Sequence, residues 1–124
     1  AEAIGSWRND KHCGTSGKLG VFGFNGNKTI TCGGGGAIVT NDEEMADRAK
    51  HLTTTAKVEH PWEFVHDELG YNFRMPNLNA ALACAQLEHL DRILADKRKL
   101  AQAYKEFFAR VDWAEFIREP EGCQ

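Results

Sequence analysis

The sequence predicts an α/β fold in which short strands are followed by long helices. Two short runs rich in apolar and β-branched residues, Leu19–Phe24 and Ala37–Thr40, are typical of strands. From Pro76 onward, apolar residues recur at helical spacing, and proline is favoured in the first turn of a helix. The strand region also contains a glycine-rich segment, Gly20–Gly36, with a single lysine, Lys28.

Length and composition restrict the possible classes of protein. The 124 residues suffice for one domain or for part of a larger one, and the formal charge of −3 with no basic block argues against nucleic-acid binding. No apolar run reaches the length of a membrane span, and the N-terminus lacks a secretory pattern. The four cysteines and five histidines show no metal-ligand spacing, so we expect no metal site and reduced cysteines in a cytoplasmic protein.

The first half of the chain is expected to form a hairpin-like unit. Polar and glycine residues predict a loop over Trp7–Gly17, followed by the first strand, Leu19–Phe24. Asn25–Asn27 is predicted to turn, and the β-branched run Thr29–Thr31 is expected to extend or re-form the strand. Ala37–Thr40 is then predicted to pair with the first strand.

The second half is expected to be mainly helical. Asn41 or Asp42 is predicted to cap a helix that ends near Thr53–Thr55, because carboxylates follow in its first turn. The aromatic-rich stretch Ala56–Arg74 is predicted to be irregular and to pack on a partner surface. Beyond Pro76, two apolar stripes lie on nearly opposite faces, so the region is either two helices or one long helix that touches different partners.

The surroundings of Lys28 exclude two common phosphate-binding motifs. In the P-loop the lysine directly follows a glycine, but here Asn27 separates Gly26 from Lys28. A dinucleotide fingerprint also fails, because no helix with an acidic ribose partner follows the glycines in register. A lysine that forms a Schiff base needs instead a fixed position at a strand end and partial desolvation, which a loop between two strands can supply.

Three segments, taken in order, resemble a known family. They are GFNGNKTITCGGGGAIVTND around Lys28, then HLTTTAK, then GYNFRMPNLNAALACAQLEHLD. They resemble the DegT/DnrJ/EryC1/StrS family of pyridoxal-phosphate-dependent sugar aminotransferases, most of all members that aminate a nucleotide-linked 4-keto-6-deoxy sugar. The resemblance covers nearly the whole chain. It implies part of a fold-type I transferase: residues 1–75 would end the large cofactor-binding domain, and residues 76–124 would form a helical region leading to the small domain.

The resemblance also implies roles for individual residues. Lys28 would form the internal aldimine with pyridoxal phosphate and then move a proton between substrate and cofactor carbons. Asn72 would reach the cofactor phosphate of a second subunit, and Glu2 would lie near the cofactor ring. Arg74, in the N-x-R pattern of the family, would meet the sugar nucleotide. The alternative for Asn72 and Arg74 is a structural turn with a capping side chain.

The sequence departs from the family pattern at Gly23. The family usually has serine there, five residues before the lysine, and its hydroxyl binds the cofactor phosphate; glycine offers a backbone N–H alone. The resemblance also places the aspartate that pairs with the pyridine nitrogen, the phosphate-binding helix N-terminus and the ring-stacking aromatic residue ahead of residue 1. We therefore expect this chain to lack part of the active site and to be inactive alone.

The predicted function is thus that of a partial aminotransferase. The whole enzyme would transfer an amino group from a donor such as glutamate to a nucleotide-linked keto sugar, and would be a homo-oligomer. Two alternatives stay open. In the first, the chain is a non-catalytic module that self-associates to bury its apolar stripes. In the second, it is a phosphate-binding module that uses Lys28 and the glycines without chemistry.

Overall fold

The computed structural model describes residues 2–124; residue 1, where the predicted unit 1–75 begins, lies outside the described residues. The described chain has short strands first and helices afterwards, as the predicted α/β class requires. The strands are β1 (Trp7–Arg8), β2 (Lys11–His12), β3 (Gly20–Gly23) and β4 (Gly36–Val39). The helices are α1 (Glu43–Thr53), α2 (Asn77–Glu88) and α3 (Leu90–Phe108).

Strands β3 and β4 form the predicted hairpin. They pair antiparallel, with Gly20 opposite Val39 at one end and Gly23 opposite Gly36 at the other. A Cβ atom on Gly36 would lie 2.7 Å from the carbonyl oxygen of Phe22, so the close approach of the two strands requires glycine at this end. The segment that carries Lys28 connects these two ends.

The predicted loop Trp7–Gly17 is wrong in its first half, because β1 and β2 form a second antiparallel hairpin. Asn9 and Asp10 join the two strands with φ angles of 48° and 61°. Two central residues with positive φ are the requirement of the type I′ turn, which matches the twist of a hairpin. The end of the chain lies against β1, since the backbone N–H of Trp7 donates to the carbonyl oxygen of Gln124 at 2.8 Å.

The predicted strand Thr29–Thr31 is also wrong, because this segment curls back over Phe24. The hydroxyl of Thr31 donates to the carbonyl oxygen of Phe24 at 3.2 Å, and the N–H of Cys32 donates to the same oxygen at 3.1 Å. Ile30 is thereby turned inward and is 1% exposed. Its burial, rather than pairing with a neighbouring strand, decides the local conformation.

A small apolar cluster joins the Lys28 segment to α2. Phe24, Ile30 and Cys32 pack with Ala83 of α2. Partly buried apolar residues surround the cluster: Ile4, Phe22, Ala37, Met75, Leu90 and Ile93. Residues from both predicted units therefore share this cluster, and the division between residues 75 and 76 stays a prediction.

The helix boundaries follow local signals in the sequence. Asp42, one of the two predicted caps, is the cap of α1: its Oδ1 accepts the backbone N–H of Met45 at 3.1 Å. Helix α2 begins directly after Pro76. The helical conformation is interrupted at His89 (φ −104°, ψ 6°), and α3 begins at the next residue. The helical region is thus two helices, which was one of the two predicted options. None of the helices within residues 2–124 is long and apolar enough to cross a membrane.

Truncation of Ile30 tests the importance of the cluster. We expect Ile30→Ala to lower the free energy of unfolding by about 2 to 5 kcal/mol, because the change removes buried methyl groups and leaves a cavity under α2. Urea denaturation followed by circular dichroism measures the change. The control is Ile117→Ala at a side chain that is 90% exposed, which should shift stability by less than about 0.5 kcal/mol. Equal effects of the two substitutions would contradict this account of the core.

Candidate functional site

Lys28, in the glycine-rich loop, forms an ion pair with Glu2. The ammonium of Lys28 donates to Oε1 of Glu2. The Lys28 side chain is 13% exposed, whereas that of Glu2 is 78% exposed. The hydrogen bond and then the charge of Lys28 lower the pKa of the Glu2 carboxyl, so Glu2 is a carboxylate at neutral pH. The structure thus brings these two predicted site residues together.

The loop that carries Lys28 is held from both sides. The N–H of Lys28 donates to the carbonyl oxygen of Asn25 at 3.0 Å, which closes the predicted turn over Asn25–Asn27. Further along, the side-chain amide of Asn79 in α2 donates to the carbonyl oxygen of Cys32 at 2.5 Å. Gly23, predicted to bind cofactor, is the last residue of β3 and leads directly into this loop. An anion near Gly23 would meet backbone and no side-chain hydroxyl.

Asn72 and Arg74 form a second pair. Nε of Arg74 donates to Oδ1 of Asn72 at 3.2 Å, and both side chains are exposed. The backbone on either side of Asn72 is fixed to the end of α1, because the N–H of Tyr71 donates to Leu52 and that of Phe73 donates to Thr53. The backbone at Asn72 is therefore held by hydrogen bonds on both sides. The contact of Asn72 with Arg74 agrees with the turn alternative as well as with a binding role.

An ion-pair network that the sequence analysis missed holds the same segment against α1. Arg48 donates from both terminal nitrogens to the carboxylate of Glu68, with one N···O distance of 2.7 Å. His51 lies 2.7 Å from Oδ1 of Asp67. The hydrogen bond from Arg48 lowers the pKa of Glu68, and that from His51 lowers the pKa of Asp67. These contacts tie α1 to residues that lie far along the chain, so no local sequence pattern signals them.

His51, Asp67 and Glu68 also place three possible metal-ligand atoms within 4.8 Å of one another. Arg48, however, already engages both carboxylate oxygens of Glu68. A bound cation would have to displace this guanidinium and lie close to its charge. The arrangement therefore fits a network of ion pairs better than a metal centre.

A cavity of about 650 Å³ opens beside the Lys28 pair, with Glu2 and Thr29 in its wall. Four further lining side chains are cationic: Lys97, Arg98, Lys105 and Arg118. Arg98 is partly neutralised by Glu119, whose carboxylate lies 3.0 Å from its guanidinium. The remaining charge makes this wall attractive to an anion.

Comparison with known proteins identifies the relatives of this arrangement. The family model described as "DegT/DnrJ/EryC1/StrS aminotransferase family" matches residues 1–122. GDP-perosamine synthase from Escherichia coli O157:H7 is 46% identical over 105 residues, which are 85% of this chain and 29% of the synthase. The chain thus spans less than a third of the length of this relative.

Solved structures show the same fold. The aminotransferase TlmJ from Streptoalloteichus hindustanus superposes with a TM-score of 0.90 at 27% identity, covering 98% of this chain and 33% of TlmJ. A DegT DnrJ EryC1 StrS aminotransferase from Brucella abortus gives a TM-score of 0.86 at 30% identity, covering 99% of this chain and 32% of that protein. These likenesses confirm the predicted fold class.

The ion pairs of Asp67 and Glu68 predict acid-sensitive stability. Both carboxyls have a pKa below their ordinary values of 3.8 and 4.5. Their contribution is therefore complete above these values and is lost as the pH falls through the lower pKa values of the folded state. Urea denaturation between about pH 7 and about pH 3 measures the decline. The double variant Asp67→Asn, Glu68→Gln should show a smaller decline of the free energy of unfolding, and the control Glu121→Gln should show the same decline as the wild-type chain. An unchanged decline in the double variant would refute the assignment of acid sensitivity to these two ion pairs.

Proposed function

Because the chain belongs to the DegT/DnrJ/EryC1/StrS aminotransferase family, we propose that it is the part of a pyridoxal-phosphate-dependent sugar aminotransferase that supplies the cofactor-binding lysine. The whole enzyme would transfer an amino group from a donor such as glutamate to a nucleotide-linked 4-keto-6-deoxy sugar. One observation carries the proposal: Lys28 presents a mostly buried primary amine, held by Glu2, on the loop between β3 and β4.

The residues around Lys28 fit the chemistry of pyridoxal phosphate. The cofactor, when bound, supplies an aldehyde that a primary amine can attack and a ring that withdraws electrons from the substrate. Lys28 supplies the amine, and its partial burial reduces competition from water. Gly23 and the glycines beyond Lys28 leave backbone accessible to a phosphate, although the side-chain hydroxyl usual in the family is missing at Gly23.

Glu2 holds the Lys28 amine in place in this arrangement. Its carboxylate accepts a hydrogen bond from Nζ of Lys28, which restricts the positions that the amine can take. To act as a nucleophile, the amine must leave this contact and release its proton to a stronger base than Glu2, because the pKa of the Glu2 carboxyl is lowered. We propose that Glu2 acts in this way as a positioning group for the amine beside the reacting atoms.

The charged wall of the neighbouring cavity supports an anionic substrate. Lys97, Lys105 and Arg118 line the same cavity as Glu2, and a nucleotide-linked sugar carries a diphosphate that such cations attract. Arg74 is proposed as a second contact for this substrate, and Asn72 as a contact for the cofactor phosphate of a partner subunit. We also propose a cytoplasmic location, which the four free cysteines of the described chain support.

Cofactor addition to the purified chain tests the role of Lys28. We expect a visible absorption band from a covalent lysine–cofactor adduct, because the amine is held at a partly desolvated site. After borohydride reduction, peptide mapping should locate the adduct on Lys28. The band should be absent in Lys28→Ala and retained in the matched control Lys99→Ala, whose side chain is 78% exposed. A wild-type chain without the band, or a Lys28→Ala chain that keeps it, would contradict the proposal.

We further propose that the chain self-associates through an aromatic surface formed by residues 56–73. The large exposed side chains of this surface are Val58, Trp62, Phe64, Val65, Leu69, Tyr71 and Phe73. Backbone bonds and the Arg48 network hold the surface against α1, so little ordering would be required when it meets a second copy. Asn72, which the resemblance places at a subunit interface, lies within it.

Truncation of Trp62 tests this surface. We expect Trp62→Ala to weaken self-association about 30-fold, because removal of a tryptophan that is a binding hot spot typically costs about 2 kcal/mol of binding free energy. Sedimentation equilibrium gives the dissociation constant. Trp113→Ala is the matched control, since Trp62 and Trp113 are 75% and 74% exposed. A wild-type chain that stays monomeric, or equal effects of both substitutions, would count against the proposal.

A further inference from the structure

The segment that carries Glu2 enters a tight turn. The N–H of Ser6 donates to the carbonyl oxygen of Ala3 at 2.9 Å, which closes a β-turn over residues 3–6. Gly5 occupies the third position with φ +81°, as a type II turn requires. A Cβ atom on Gly5 would lie 2.4 Å from Leu94 of α3, so the turn packs directly on this helix.

His12 of β2 reaches back to this turn. The backbone N–H of Gly5 donates to Nε2 of His12 at 2.9 Å. Since Nε2 accepts, the ring proton is on Nδ1, which donates to the carbonyl oxygen of Cys13 at 2.7 Å. The rings of Trp7 and Phe22 lie 5.1 Å and 5.5 Å from the imidazole and fix its plane. Both ring nitrogens are therefore in hydrogen bonds, and the ring has little freedom to move.

Glu2 immediately precedes the first residue of the turn. Its side chain is 78% exposed, so packing contributes little to its position. Fixing the backbone just after Glu2 restricts the positions that its carboxylate can reach. The contacts of Gly5 with His12 and Leu94 provide this restraint.

We propose that His12 is a positioning residue, which holds the turn at Gly5 so that the carboxylate of Glu2 meets the ammonium of Lys28. The restraint itself depends on geometry alone. Its meaning for catalysis rests on the proposed function of Lys28. The two parts can be tested separately.

Two substitutions separate the hydrogen bond from the packing of the ring. His12→Phe keeps an aromatic ring between Trp7 and Phe22 but removes the acceptor. His12→Gln loses the ring but places its Oε1 near the position of Nε2, so it can accept the N–H of Gly5 again. Asp67→Asn, in the network beside α1, is the control for a substitution outside the site.

The pKa of the Glu2 carboxyl, measured by NMR titration, reports whether Glu2 still meets Lys28. We expect His12→Phe to raise this pKa toward its ordinary value, His12→Gln to restore the wild-type value, and Asp67→Asn to leave it unchanged. Acetylation of Lys28, followed by mass spectrometry, should be faster in His12→Phe by about 2-fold to 10-fold, the factor that one net hydrogen bond contributes. A change in global stability alone would not move the Glu2 pKa of the folded state.

An unchanged Glu2 pKa and acetylation rate in a folded His12→Phe chain would overturn the proposal. If His12→Phe does not fold, hydrogen exchange of the wild-type chain decides: a Gly5 amide slowed by about 2-fold to 10-fold supports the bond, and an unprotected amide refutes it. The cofactor experiment is independent. Absence of a lysine–cofactor band would contradict the proposed function of Lys28. The NMR and acetylation results would still establish or refute the restraint of Glu2 by His12.

Discussion

The position of Lys28 depends on the burial of Ile30 beneath α2. The loop around Lys28 is rich in glycine and would be flexible by itself. Ile30, two residues beyond Lys28, is almost completely buried against Phe24 and Ala83, and this anchors the loop to the helix. Burial of one such side chain stabilises the fold by about 2 kcal/mol. It also confines the backbone on one side of the amine, while the turn at Asn25 confines it on the other.

Local signals predicted much of the fold and failed where a distant residue decided the outcome. The β3–β4 hairpin, the Asp42 cap and the start of α2 after Pro76 follow from nearby residues, and all agree with the structure. The strand predicted at Thr29–Thr31 rested on β-branched residues, whose preference reflects packing on a pleated surface. Ala83 supplies the packing surface instead, and its position relative to this segment cannot be deduced from local sequence.

The candidate site shows the same division. Its central residue, Lys28, stands in a motif and could be predicted, whereas the contacts that hold its partner could not. The bond between Gly5 and His12 requires the β1–β2 hairpin. The Asn9–Asp10 pair was an available signal for that hairpin, because both residue types tolerate the positive φ of a type I′ turn. The imidazole itself gave no signal, since an isolated histidine in a sequence carries no information about its partner.

The exposed aromatic surface and the Lys28 loop are mechanically connected through the start of α2. Met75 follows Arg74 directly, and a Cβ atom on Gly35 would lie 2.9 Å from its terminal methyl group, so Met75 packs on the glycine loop. One turn further, Asn79 bonds to Cys32 of the same loop. A second copy that covers residues 56–73 would immobilise the segment leading into these contacts. In the proposed assembly, a restraint on Asn72 from outside would therefore also restrain, through α2, the loop that presents Lys28.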